Sequence, residues 1–308
     1  MILIYSKDID DFVNQVIDCL DEDFIRIADQ DKICIDEVNI TNEENTFYIH
    51  SPYFEEFDID ALTSIWFNGG SAKTYGNDYE NSCYSLLINS FLNHKQTNKI
   101  GRLISNFELN KFDVLKEAQV QGFKVPDTLF TGSKKKLNTF YKKYSGQNGI
   151  VCKRMTDQYF YDSGEYIFDF SLTFSINSNI LTDIPEHFAI SLFQEKIVAD
   201  YEIRVIFIKD TFYAMSIHAF DNEIDYRSKL MSLNNIRTIP YNLPSNTKKK
   251  LEKMLKRFDL NFASIDLMFS NNEYYFLEIN PVGQISFVNN TCNFYIENQL
   301  SEILKNEK

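Results

Sequence analysis

The sequence predicts an α/β (α+β) chain whose sheets carry helices on one side, and three observations support this. The first hundred residues alternate strand-like and helix-like stretches; after "FQEKI" the pattern changes to paired strands; and 44% hydrophobic and 15% aromatic residues in a chain of 308 suffice for the cores of two or three domains.

"MILIYS" has the length and composition of a strand, "DIDDFVNQVIDCL" places apolar residues at helical spacing, and "FIRIAD" returns to period two. "SIWFNGG" sets a strand before a Gly69-Gly70 turn, and "YENSCYSLLINSFLNH" resumes helical spacing. Residues 1–106 are therefore expected to form an N-terminal α/β domain. A second unit, 107–193, opens with a helix from about Lys111 that ends at Gly122, a suitable C′ residue, and Pro126 prevents its continuation. "KKKLNTFYKKYSGQNG" predicts a helix and turn, "IVCKRM" a short strand interrupted by Lys153, and "YIFDFSLTFSI" (166–176) another strand. In the third unit, 194–308, "EIRVIFI" and "TFYAMSIHAF" predict a hairpin about Lys209-Asp210. "SNTKKKLEKMLKRFDL" predicts a helix with Ser245 as N-cap, and "ASIDLMF" with "YYFLEIN" predicts a second hairpin.

A formal net charge of -13 argues against a nucleic-acid partner, because neutralising phosphates requires basic surface. The runs Lys134-Lys135-Lys136 and Lys248-Lys249-Lys250 read as solvated helix ends. Five scattered cysteines without a C-x-x-C pair indicate neither a disulfide framework nor a zinc site, which suits a reducing cytoplasm. No basic n-region and no run of bilayer length is present, so an unprocessed protein with no membrane partner is expected.

The second hairpin carries chemistry. Ile265 and Leu267 share one face with Asp266 opposite; Leu277 and Ile279 share one face with Glu278 and Asn280 opposite. A three-residue loop, 271–273, would set Asp266 across from Glu278, with Asn280 following on the same face and Leu277 turned into the core. Facing carboxylates repel unless a cation or proton intervenes, and Asp, Glu and Asn offer the oxygen ligands magnesium takes beside water and phosphate. The same pattern also fits polar residues on a solvated sheet face. Lys153 and Arg204, each within an apolar strand, must snorkel or meet an anion. Together these elements suit a nucleoside triphosphate with magnesium, although no Walker A, G-x-G-x-x-G or kinase catalytic loop is present.

Beyond about Asn106 the order of motifs resembles the ATP-grasp ligases: "NKFDVLKEAQVQGFKVPDT", "VCKRM", "FQEKI", "YEIRV" and "SIDLMF…FLEINPVGQ". Within that superfamily, "EINPVGQ" followed by "VNNTCNFYIENQLSEIL" is similar to the maturases of graspetides (microviridin-type peptides), most like the grasp-with-SPASM branch. The resemblance implies an ATP-grasp fold in which central and C-terminal domains clasp ATP between antiparallel sheets. It implies Lys111 and Lys153 near the ATP phosphates; Gln194, Glu195 and Ile197 around adenine; and Glu202 on the ribose side. Asp266, Glu278 and Asn280 fall on Mg2+ ligand positions, Arg204 where an acyl phosphate forms, and Asp225 and Arg227 of "IDYR" near a substrate channel. The implied reaction joins Asp or Glu side chains to Ser, Thr or Lys side chains of a ribosomally made precursor peptide, composed of a leader and a Thr/Ser/Asp/Glu-rich core. Oligomeric state, monomer or homodimer, is left open. Two departures stand out: "IWFNGG" has Asn68 and Gly69 where such maturases tend to carry arginines, and "MTDQYFYDSG" contains only Gly164. The alternatives are a ligase adding an amino acid to a protein or small molecule, and a peptide-binding module with a decayed nucleotide site.

Overall fold

The structure, a computed structural model, describes residues 1–28, 31–43, 45–70, 76–94, 97–104, 108–155, 160–162, 164, 167–169, 173–219, 236–283 and 285–305. Asp225 and Arg227 lie outside the described residues.

The elements run β1 (Ile2–Ser6), α1 (Asp11–Asp18), β2 (Phe24–Ile27), β3 (Cys34–Ile40), β4 (Asn45–Ser51), β5 (Phe54–Asp58), β6 (Ser64–Asn68), α2 (Asp78–His94) and β7 (Asn98–Ile100). They continue with α3 (Lys111–Val120), β8 (Thr128–Ser133), α4 (Lys134–Tyr144), β9 (Ile150–Lys153), β10 (Phe160–Asp162), β11 (Ile167–Asp169), β12 (Phe174–Ile176), α5 (Ser178–Asp183) and β13 (His187–Glu195). The last are β14 (Tyr201–Ile208), β15 (Thr211–Ala219), β16 (Ile236–Pro240), α6 (Ser245–Arg257), β17 (Phe262–Ser270), β18 (Glu273–Asn280), α7 (Ile285–Cys292) and α8 (Ile296–Lys305).

The first sheet is parallel, in the order β2-β1-β6-β7. Its strands are apolar on both faces because both are covered. Ile2, Ile4 and Trp66 meet α1, α7 and α8, while Leu3, Tyr5, Ile65 and Phe67 meet α2 and the β3-β4-β5 meander. Asp10 starts α1 by accepting the Phe12 and Val13 amides, which directs Phe12, Val13 and Val16 inward. Gly69 and Gly70 follow β6 with φ of 88° each, and a Cβ on Gly70 would come within 2.1 Å of the Ser6 carbonyl oxygen, so only glycine fits there.

The second sheet, β12-β9-β13-β8, is antiparallel and keeps its own core, in which Leu137, Tyr144, Leu181 and Phe193 join α4 and α5 to one face. The third, β16-β15-β14-β17-β18, buries Ile203, Val205, Ile265 and Phe276 against α3 and α6. Although α3 precedes the second sheet in the chain, Val114, Leu115 and Ala118 pack into the core of the third.

Three local expectations are corrected. Helices on one side describe the second sheet but not the third, because Ile206, Ile208, Met215 and Ile217 on the other face of the third sheet pack in a common core with Ile285 and Val288 of α7 and with the N-terminal residues. The single strand expected over 166–176 is, among the described residues, split between β11, paired with β10, and β12, paired with β9. Ser245 is the first residue of α6 rather than its N-cap; Pro244 holds that place in extended backbone, with no side-chain cap.

Candidate active site

The β17-β18 hairpin closes through two residues, Asn271 and Asn272, with φ of 51° and 63°, values that asparagine tolerates well and that suit a type I′ turn. The expected three-residue loop is therefore replaced by a tighter one. Asp266 nevertheless pairs with Glu278, because a β-bulge follows: Leu267 pairs with Phe276 and Leu277 is the extra residue. Phe276 thus takes the core place expected of Leu277, which is only partly buried, while Ile265, Leu267 and Ile279 are buried as expected.

On β14, Arg204 pairs with Asp266, so Arg204, Asp266 and Glu278 form one row across three strands. Glu202 and Asn280 lie on the same face by strand alternation. Arg204 meets Asp266 side-on, Nε to Oδ1 at 2.5 Å and Nη2 to Oδ2 at 3.0 Å, with side chains only 8% and 15% exposed. Lys111, in the first turn of α3, pairs with Glu278 Oε2 at 3.3 Å. A cation at a helix N-terminus opposes the helix dipole, and the Glu278 carboxylate offsets that cost. Asn280 Nδ2 donates to Glu278 Oε1 at 3.4 Å.

Lys153 ends β9 on the face of the second sheet turned away from its helices, directly across from Leu192. Burial pushes its ammonium below the usual lysine range; Glu278, Asp266 and Glu202 work in the opposite direction, and Lys111 adds to the lowering. Burial would raise the Glu278 carboxyl, but Lys111 and Lys153, with the Asn280 and Lys111 hydrogen bonds, outweigh it and hold Glu278 down to about 2. The two sheets therefore converge: Lys153 reaches from one toward the Arg204–Asp266–Glu278 row of the other.

The residues expected around adenine lie where the chain passes between these sheets. Gln194 is buried on β13 with Nε2 donating to Thr128 Oγ1 at 3.0 Å. Glu195 ends the strand, and Ile197 stands partly buried in the connection to β14. Asp127, which the sequence did not single out, fixes Glu195: its amide donates to Glu195 Oε1 at 3.0 Å, and its carbonyl accepts the Glu195 amide at 3.0 Å. Its own carboxylate accepts from Lys143 and Tyr144, and these bonds lower its pKa. The "VPDT" segment, an acid between a proline and a strand, is the only sequence signal of this arrangement. The end of β6 also reaches the site, since a Cβ on Gly69 would lie 3.4 Å from Val282 Cγ1, two residues past Asn280.

The donor set fits magnesium. Among the described residues no three His, Cys, Asp or Glu side chains form a metal cluster. Two carboxylates and one carboxamide leave positions for water and phosphate oxygens, which magnesium retains in nucleotide sites. The repulsion that points to a metal from sequence is met first by protein cations: Arg204 neutralises Asp266, and Lys111 neutralises Glu278.

Residues 109–304 match the RimK-like ATP-grasp domain family. No curated protein matches the sequence. Among solved structures, the macrocyclase MdnC bound with precursor peptide MdnA, from Microcystis aeruginosa MRC, superposes with a TM-score of 0.80 at 18% identity, covering 99% of this chain and 100% of that one. A RiPP-associated ATP-grasp ligase from Chryseobacterium gregarium, in complex with ADP and a leader and core peptide, gives 0.80 at 20% identity, covering 98% and 94%. The ATP-grasp ligase PsnB, complexed with a phosphomimetic variant of its minimal precursor, Mg and ADP, gives 0.71 at 16% identity, covering 98% and 97%.

Proposed function

This chain belongs to the RimK-like ATP-grasp family, and from that premise we propose that it is an ATP-dependent peptide maturase of the graspetide type. It links Asp or Glu carboxylates of a ribosomal precursor peptide to Ser, Thr or Lys side chains as ω-esters or ω-amides. The observation that carries the reading is the Arg204–Asp266–Glu278 row with Lys111 beside it and Lys153 facing it. The likeness to structures solved with precursor peptides supports the substrate class. The similarity in "EINPVGQ" and the segment after it favours the grasp-with-SPASM branch.

In this reading the N-terminal domain is 1–106, the central ATP-grasp subdomain 107–193 and the C-terminal subdomain 194–308, which carries the metal site. Gln194, Glu195 and Ile197 line the adenine and Glu202 faces the ribose. Lys111 and Lys153 bind phosphate oxygens as point charges. Asp266, Glu278 and Asn280 hold Mg2+, which when bound neutralises charge on the phosphates.

A peptide carboxylate oxygen attacks the γ-phosphorus, the bond to the β-phosphate oxygen breaks, and ADP leaves. Arg204 and Lys153 supply fixed positive charge to the acyl phosphate, where a low-dielectric cleft makes it most effective. A hydroxyl or amine then attacks the acyl carbon, loses its proton and expels phosphate. Water must be excluded at this stage, because it would hydrolyse the acyl phosphate. Asp225 and Arg227 guide the peptide. The free cysteines suit a cytoplasmic enzyme.

The test is mass spectrometry of a precursor peptide, encoded by a short neighbouring reading frame rich in Thr, Ser, Asp and Glu, after incubation with the protein, ATP and magnesium. Loss of one water per bond supports internal condensation. A gain of an amino-acid residue would transfer the reading to amino-acid ligation, and absence of both nucleotide binding and turnover would leave a peptide-binding module.

A further inference from the structure

The acidic side chains assigned to the metal are fully engaged by the protein itself. Both Asp266 oxygens contact the Arg204 guanidinium, at 2.5 and 3.0 Å. Glu278 receives Lys111 on Oε2 at 3.3 Å and Asn280 on Oε1 at 3.4 Å. Lys153 adds a further positive charge that Glu278, Asp266 and Glu202 feel. Among the described residues, the carboxylates of Asp266, Glu278 and Glu202 thus face the cations Arg204, Lys111 and Lys153 before any ligand arrives. A divalent ion approaching alone meets no excess of negative charge among these six described side chains, and must displace a cation to reach Glu278.

We infer that this site excludes free divalent cations and admits one only with the nucleotide, Lys111 acting as the exchangeable counter-ion of Glu278. The inference rests on the reading of Asp266, Glu278 and Asn280 as the metal face. Two features single out Lys111 over Arg204. Its contact is single and 3.3 Å long, with side chains 27% and 24% exposed, whereas Arg204 lies against both Asp266 oxygens, donates to Oδ2 from Nη2, and is more deeply buried. It also stands in the first turn of α3, where the helix dipole opposes a cation and an incoming phosphate would be welcome. Phosphate oxygens draw Lys111 from Glu278; the carboxylate then faces the metal, and the charge brought by a nucleoside triphosphate requires it. Divalent ion and nucleotide therefore bind with strong positive coupling, each raising the affinity of the other by the same factor.

The experiment is Mn2+ binding to the full chain followed by electron paramagnetic resonance, with and without a non-hydrolysable ATP analogue. Without nucleotide the parent protein binds little Mn2+, and Lys111→Met binds it about 10- to 1,000-fold more tightly, the range by which one neighbouring charge shifts an ionic equilibrium. Adding Glu278→Gln to Lys111→Met abolishes the gain. Tight nucleotide-independent Mn2+ binding by the parent, or no strengthening in Lys111→Met, overturns the inference. Failure of the metal reading is a different result: with the analogue present, Glu278→Gln would bind Mn2+ as well as the parent.

Discussion

Replacing Glu278 with glutamine should remove a stabilising term whose size and pH dependence follow from its surroundings. Its carboxyl is held down from 4.5 to about 2 because Lys111 and Lys153 outweigh the cost of burial. At about 1.4 kcal/mol per tenfold, that displacement contributes about 3 kcal/mol to folding of the ligand-free protein at neutral pH. Because the folded pKa lies below the unfolded one, the contribution is present above about pH 4.5 and is lost as the pH falls toward 2. By about pH 3 less than half should remain. Urea titrations of parent and Glu278→Gln at pH 7, 5, 4 and 3 measure the gap directly, and carboxylates common to both proteins cancel in the difference. Glutamine keeps the shape and the Asn280 neighbourhood, so a gap largest at pH 7 and closing with acid isolates the charge. A gap independent of pH, or a glutamine variant more stable than the parent at pH 7, would refute the claim that Lys111 and Lys153 outweigh burial at this carboxylate.

Lys153→Met should retain the fold and lose peptide turnover, because methionine preserves the apolar stem and removes the cation; circular dichroism and the mass assay together check this, and near-parental turnover would return Lys153 to a packing role. Arg204→Met should destabilise by about 3–5 kcal/mol through the stranded Asp266 charge, whereas Arg204→Met with Asp266→Asn should cost less; chemical denaturation of the double-mutant cycle reads the coupling. Gly70→Ala should lower the thermal midpoint, since the backbone is at φ 88° and the methyl would overlap the Ser6 carbonyl; a midpoint equal to the parent's would show that the turn relaxes freely.

Much of the carboxylate row was legible in the sequence, because side chains alternate strictly along strands and "SIDLMF" and "FLEIN" mark their faces. The route was not. A three-residue loop and a two-residue loop with one bulged residue both bring Asp266 opposite Glu278, and hydrophobic pattern cannot distinguish an extra residue in the turn from one at Leu277. What separates them is the Asn271-Asn272 pair, whose tolerance of positive φ favours the tighter turn. The ion pairs were hidden for a different reason: Lys111 is 167 residues from Glu278 and Arg204 is 62 from Asp266, so neither pairing has a local signature. Sharing of cores was equally hidden. α3 reads as the opening of the unit that follows it, and only the packed structure shows Leu115 and Ala118 in the core of the β14–β18 sheet.

The reciprocal bonds between Asp127 and Glu195 staple the chain's entry into the second sheet to its exit. Residues 128–194 are consequently a closed excursion, inserted like a bead on a loop whose two ends already touch. Among the described residues its core side chains, from Leu129 to Phe193, come from within that excursion, and the edge-on contact of Phe130 with Phe112 of α3 adds a ring from outside it. A short turn joining 127 to 195 would therefore leave the other cores whole and keep Lys111, Arg204, Asp266 and Glu278 in place, removing Lys153 and Gln194 together. The half that bears Lys153 is in this sense a cassette, exchangeable for another of the same span without redrawing the half that bears the carboxylates.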